Sequence, residues 1–192
     1  MPESAARSVS KPITNPTKTP VTIRRLAPPD LGDYKALRDT MLAAHPEAFT
    51  SDAATERART PDGYLARIGG DPTDAAHAGQ FTLGAWRGTR LVGAVSCERD
   101  PRIKVRHIAH LIGMMVQADA RHAGIGGALL EACIASARAA GGIELLTLSV
   151  TAGNTAALRL YERVGFSRYA SLPRALRVGN AYHAKEQWVL VL

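Results

Sequence analysis

One stretch limits the topology of this chain more than any other. An apolar run from His110 to Val116 leads into a glycine-rich turn, Arg121-His122-Ala123-Gly124-Ile125-Gly126-Gly127-Ala128, and a second apolar run follows from Ile143 to Val150. Between them Ile125, Leu129 and Cys133, with Leu130, Ile134 and Ala137 alongside, repeat at helical spacing, and Gly141-Gly142 ends the helix. Strand, helix, strand over this length makes the two strands parallel neighbours with a right-handed crossover. The turn must then sit at the end of an internal strand, against the start of a helix.

Such a turn reads as an anion cradle. Glycines let main chain approach a ligand closely, and the free N–H groups of a helix start carry the positive end of its dipole. Arg121 adds a full charge at the mouth. A plain strand-to-helix turn has the same glycines, so the spacing alone leaves both readings open. Two better-known phosphate loops are excluded by their letters. A P-loop needs Lys-Ser/Thr after its last glycine, where Gly127-Ala128 stand, and a dinucleotide fingerprint wants a glycine where Leu129 stands.

Charge supports an anionic partner. The chain has 24 Lys+Arg against 17 Asp+Glu, a formal net charge of +7, but the basic residues are scattered singly and aromatics are only 5%. That is the wrong pattern for a nucleic-acid surface and sufficient for a polyphosphate ligand, so no nucleic-acid partner is expected. Apolar stretches are strand-sized, short of the ~20 residues that span a bilayer, so no membrane partner is expected either. Cys97 and Cys133 have neither disulfide nor metal spacing and read as small buried residues of a reducing, cytoplasmic protein with no metal.

Taken in order, residues 1–20 are rich in Ser, Thr, Pro and Lys and read as a disordered lead-in, and 21–192 as a single domain. Val21 to Leu26 is a strand pattern, and Asp30 is placed to cap a helix with Leu31, Tyr34, Leu37, Arg38, Met41 and Leu42 on one face. His45 to Gly70 reads as a loop and a short second helix, either an acceptor lid or ordinary packing of Phe49, Tyr64 and Leu65. Asp71 to Gly79 reads as a polar loop. Gln80–Arg87 and Arg90–Glu98 form a hairpin about Gly88-Thr89, and Gly113 suggests a bulge in the strand Arg106 to Val116. After Val150, Asn154 can cap a helix that runs to Val164 and stops at Gly165, with Ala157, Leu160, Tyr161 and Val164 on its apolar face. Phe166–Tyr169, Arg174–Val178 and Tyr182–Leu192 close the chain, with Gly179-Asn180 a hairpin turn.

The turn Arg121-x-x-Gly124-x-Gly126, the strand Leu145 to Val150 leading to Asn154, and Tyr161 followed by Gly165-Phe166 together resemble the GNAT (GCN5-related) N-acetyltransferase superfamily. The order of elements from Val21 to Leu192 is similar as well, and Leu146 to Asn154 with Leu172 to Val178 resemble uncharacterised bacterial members. The resemblance implies an α/β fold of the α+β type. It would have a mixed, mostly antiparallel sheet of about seven strands, the fourth and fifth parallel, flanked by about four helices. It also implies an acyltransferase that uses acetyl-CoA as co-substrate to acetylate a primary amine on a small molecule, a protein N-terminus or a lysine.

Residue roles follow from the same resemblance. Main chain of Met114, Met115 and Val116 would bind pantetheine in a gap between the parallel strands, and N–H groups of Arg121, His122, Ala123, Gly124, Ile125, Gly126 and Gly127 would hold the pyrophosphate. Asn154 would face the cofactor arm, and Tyr161 would contact the cofactor and give a proton to the departing thiolate. Arg121 as a solvated loop arginine, Asn154 as a simple cap and Tyr161 as a core tyrosine are the alternative readings of these residues. The general base is not marked by spacing. Glu98, His107 and His110 are candidates, His110 being assigned because it precedes the pantetheine run and an imidazole titrates near neutrality, and a water relay is the alternative. Ala184, beside His183, stands where similar chains often carry an acidic residue. A homodimer is compatible with the closing strands, and a non-catalytic acyl-CoA-binding or regulatory module on the same fold is the rival function.

Overall fold

The structure, a computed structural model, describes residues 20–69 and 79–192. The expected lead-in, up to residue 19, and loop residues 71–78 lie outside the described residues. Seven strands form one sheet: β1 (Val21–Arg25), β2 (Phe81–Arg87), β3 (Arg90–Arg99), β4 (Ile108–Val116), β5 (Leu145–Thr151), β6 (Ser167–Val178) and β7 (Ala181–Val191). Their order is β1-β2-β3-β4-β5-β7-β6. Every neighbouring pair is antiparallel except β4 and β5, the pair the crossover makes parallel.

Helices cover both faces, which is why β2 and β3 are buried almost residue for residue instead of alternating. On one face α4 (Ile125–Ala140) and α5 (Thr155–Arg163) close a core that includes Leu111, Leu129, Leu146, Leu148 and Trp188. Cys97 and Cys133 meet inside it, fully buried, and the hydrogen bond with Cys97 and burial together push the Cys133 thiol far up. On the other face α1 (Leu31–Ala44) packs through Leu31, Tyr34, Leu37, Arg38, Met41 and Leu42, the six positions its spacing selects. Beyond it come α2 (Ala53–Ala58) and α3 (Leu65–Ile68).

Two local expectations are corrected. The second helix is two, so the described residues hold five α-helices: Arg59 and Thr60 are extended before Pro61, which starts a 3-10 turn instead of continuing α2. Asp30 does not cap α1 through its side chain. Its carboxylate turns back to accept from the Ala27 N–H at 2.8 Å and from Arg24 at 2.7 and 2.8 Å, stapling the end of β1 to the entry of α1.

Two irregularities place the site. Gly113 has φ +61 and the β3–β4 register slips beside it, a bulge that turns Met114 towards the α4 core and Met115 towards the α1 core. Parallel pairing of β4 with β5 runs only from Ile108–Leu145 to Leu111–Leu148. Beyond that point the strands separate, and β4 continues to Val116 with no strand partner on that side.

Candidate functional site

The gap between β4 and β5 opens into a cavity of about 990 Å³. One wall is the turn before α4. His122 and Gly124 both adopt positive φ, 62° and 76°, and bring the chain round so that α4 starts facing the cavity. The first main-chain bond closing that helix is from the Ala128 N–H to the Gly124 carbonyl, so the N–H groups of Ile125, Gly126 and Gly127 have no helical acceptor. A Cβ at Gly126 would lie in van der Waals contact with Leu160 at 3.4 Å and Met114 at 3.5 Å, so anything longer than a methyl must project into the cavity or displace them. Arg121 is anchored by its Nε to the Val116 carbonyl at 3.3 Å. Its guanidinium then crosses to His45 Nε2 at 2.7 Å, with that nitrogen as acceptor.

Of the residues singled out from sequence, Met114, Val116, Arg121, His122, Gly124, Ile125, Gly126, Gly127 and Asn154 line the cavity. Asn154 also caps α5, accepting from the Ala157 N–H at 3.2 Å, so its two readings coexist. Ala123 lies in the turn without reaching the cavity wall, and Met115 faces the α1 core, leaving only its main chain for a ligand. Tyr161 is in the layer behind the wall, 7% exposed and edge-on to Phe166 at 5.9 Å. Ala157 and Leu160 present α5 to the cavity in its place. Its hydroxyl makes no hydrogen bond among the described residues, and burial pushes its pKa up to about 12.

His110 lies outside the cavity wall. It is exposed on the sheet face that α1 partly covers, with Nδ1 at 2.5 Å from Thr147 Oγ1. The other two base candidates also lie outside the cavity lining: Glu98 faces Arg67 at 3.5 Å, and His107 precedes β4, its carbonyl accepting from Glu144 and Leu145 at the start of β5.

The opposite wall comes from the segment after α1. Met41, His45, Glu47, Ala48 and Phe49 line the cavity there, with His183 from β7. Two side chains hold this segment down: Thr151 Oγ1 donates to the Glu47 carbonyl at 2.6 Å, and Lys185 Nζ donates to Thr50 Oγ1 at 2.7 Å. Behind it Arg38, 3% exposed, donates to Glu56 at 2.8 Å and to Ser51 at 3.0 Å, and Tyr64 donates to the same Glu56 carboxylate. Burial alone would raise Glu56, but the bonds from Arg38 and Tyr64 outweigh it and hold the group at about 2, while burial and Glu56 push Tyr64 up to about 12. Sequence reading missed this network. Its only signal was an arginine at a core position of α1, which requires a buried partner.

A smaller concavity of about 590 Å³ between α5 and β6–β7 holds Arg168 and Glu186, paired with each other at 3.1 Å, and has no glycine turn or helix start in its wall. The larger cavity is therefore the candidate site. Among the described residues no group of His, Cys, Asp and Glu could hold a metal ion, and no helix is long and apolar enough to cross a membrane.

The profile of the acetyltransferase (GNAT) family matches residues 35–166. Among curated proteins, a mycothiol acetyltransferase from Salinispora tropica is 30% identical over 167 residues, 84% of this chain and 51% of that protein. The corresponding protein of Salinispora arenicola is 31% identical over 167 residues, with 86% and 51% covered, so the chain spans about half the length of these relatives. A GNAT-family acetyltransferase from Streptococcus pneumoniae superposes with a TM-score of 0.79 at 25% identity, over 90% of this chain and 100% of that one. The structure of YncA, a putative acetyltransferase from Salmonella typhimurium with its cofactor acetyl-CoA, superposes at 0.75 with 19% identity, over 90% and 94%.

Proposed function

This chain belongs to the GNAT acetyltransferase family, and on that premise we propose that it acetylates a primary amine, using acetyl-CoA, by direct attack within a ternary complex. The observation that carries the reading is the separation of β4 from β5 beyond Leu111, which opens beside an uncapped helix start in one continuous cavity. Acetyl-CoA would supply an activated thioester. The N–H groups from Arg121 to Gly127 hold its pyrophosphate, and Arg121 leaves His45 to add charge. Main chain of Met114, Met115 and Val116, unpaired towards β5, binds the pantetheine amides, and the Val116 N–H faces the developing oxyanion.

In the transfer the amine nitrogen bonds to the thioester carbon, the carbon–sulfur bond breaks, and the departing thiolate accepts a hydrogen bond from Tyr161. With a pKa near 12 the phenol stays protonated, so its role is to stabilise the leaving thiolate as a hydrogen-bond donor. His110 accepts the ammonium proton through water on the open sheet face, its imidazole oriented by Thr147. Acetyl-CoA is expected to raise the melting temperature, and free thiol to appear when an amine panel is added. No shift with any CoA species would overturn the reading; a shift without thiol release from any amine is the signature of a non-catalytic CoA-binding module.

A further inference from the structure

The sheet face opposite α4 and α5 is apolar under α1, where Ala94 and Met115 join its core, and polar across β5 and β7. Leu146, Leu148, Val150 and Trp188 point into the α4 core, so their alternates Thr147, Ser149, Thr151, Lys185 and Gln187 share the other face. Hydrogen bonds confirm it: Gln187 donates to Ser149 at 3.2 Å, and Thr151 and Lys185 reach the segment after α1.

Among the described residues two charges on this face lack an ionised partner, Glu47 and Lys185. Arg38 is matched by Glu56 and Arg67 by Glu98. Glu47 is 48% exposed and stands 3.9 Å from His45 Nδ1. Lys185 has only the neutral Thr50 hydroxyl, and among the described residues no carboxylate lies within ion-pair distance of its ammonium. Burial lowers its pKa, a desolvation cost that no protein charge offsets. Its position matters equally. Lys185 is in register with Thr151 and two residues from His183, and its partner Thr50 follows Phe49; Thr151, His183 and Phe49 all line the cavity. Lys185 itself stands just outside the lining, so its ammonium reaches an acceptor inside by leaving Thr50 on a four-carbon stem.

We propose that Lys185 recognises a carboxylate on the acceptor, so that the amine acetylated here belongs to an amino acid or an amino-acid-like zwitterion and not to a polycation. This rests on the acetyltransferase reading and names its substrate class. A polyamine would meet Lys185 as a like charge, with Glu47 the one carboxylate on the cavity wall. A carboxylate meets a half-buried cation with no protein carboxylate to compete for it, and forms a charge-assisted bond.

The test measures thiol release from acetyl-CoA with L-amino acids, their C-terminal amides, the matching decarboxylated amines and spermidine. For the best amino acid, kcat/KM should exceed that of its amide and its decarboxylated amine by about tenfold, mostly through KM. Lys185→Met should bring the acid-to-amide ratio to about one, and Lys185→Arg should restore most of it. Equal rates for acid and amide, preference for spermidine, or an unchanged ratio in Lys185→Met would overturn the proposal, the last making Lys185 a tie for the segment after α1. If no amine releases thiol, the acetyltransferase reading fails separately. The melting temperature of the CoA complex then decides, rising with L-amino acids but not their amides only if Lys185 reads a carboxylate.

Discussion

At Gly124–Gly127 the cavity wall is main chain, set by two residues at positive φ and the start of α4; at His45–Ser51 it is a segment held in place by side chains from three other elements. The first wall offers N–H groups that any phosphate-bearing ligand can use, and it is built from eight consecutive residues. The second depends on Arg38, Glu56, Tyr64, Thr151 and Lys185, brought together from across the chain. A donor site made of main chain tolerates sequence drift everywhere except at its glycines. An acceptor site made of distant side chains can be rewritten one residue at a time, which lets one donor site serve many acceptors.

Substitutions on each wall should therefore fail in different ways. The largest effect is expected behind the acceptor wall: Arg38→Leu leaves the Glu56 charge buried without its cation and should lower unfolding free energy by about 3–5 kcal/mol in denaturant titration. A loss below about 1 kcal/mol would mean that the segment after α1 is held by its apolar contacts alone. The pH dependence sharpens this. Glu56 is held at about 2 against 4.5 for the free group, so on acidification the unfolded chain takes up the proton first. The stability due to Glu56 is complete above about pH 4.5 and is lost as pH falls through 2, and Arg38→Leu should flatten that limb.

On the donor wall Gly126→Glu puts a carboxylate and its bulk at the helix start. It should raise the acetyl-CoA dissociation constant about 100-fold, equivalent to about 2.7 kcal/mol, by calorimetry. A change below about threefold would break the assignment of this turn to the phosphates. The smallest effect belongs to Tyr161→Phe. Because water can replace the phenol, kcat should fall only about tenfold, about 1.4 kcal/mol of barrier, while acetyl-CoA affinity holds. Unchanged turnover would leave Tyr161 as a core residue of α5.

Much of this architecture is legible in order along the chain. The hairpin turns Gly88-Thr89 and Gly179-Asn180, the apolar face of α1, the crossover and the bulge at Gly113 are all local patterns, and each is found where its letters place it. Where local reading failed, a distant partner had intervened. Asp30 has the letters of a cap, but Arg24 and the Ala27 N–H claim its carboxylate. Tyr161 has the spacing of a core residue and is buried as one, while Ala157 and Leu160 present α5 to the cavity. His110 is next to the pantetheine run in sequence and outside the cavity in space, because it precedes the point where β4 and β5 part.

What the sequence determined by itself is the glycine-turn wall: a parallel strand pair, a glycine turn and a helix start follow from periodicity and backbone freedom within about forty residues. What only the tertiary structure decided is the wall built on His45–Ser51. Whether Lys185 is paired or bare depends on which carboxylates reach it, and burial and ion pairing are properties of the packed molecule, carried by no local spacing.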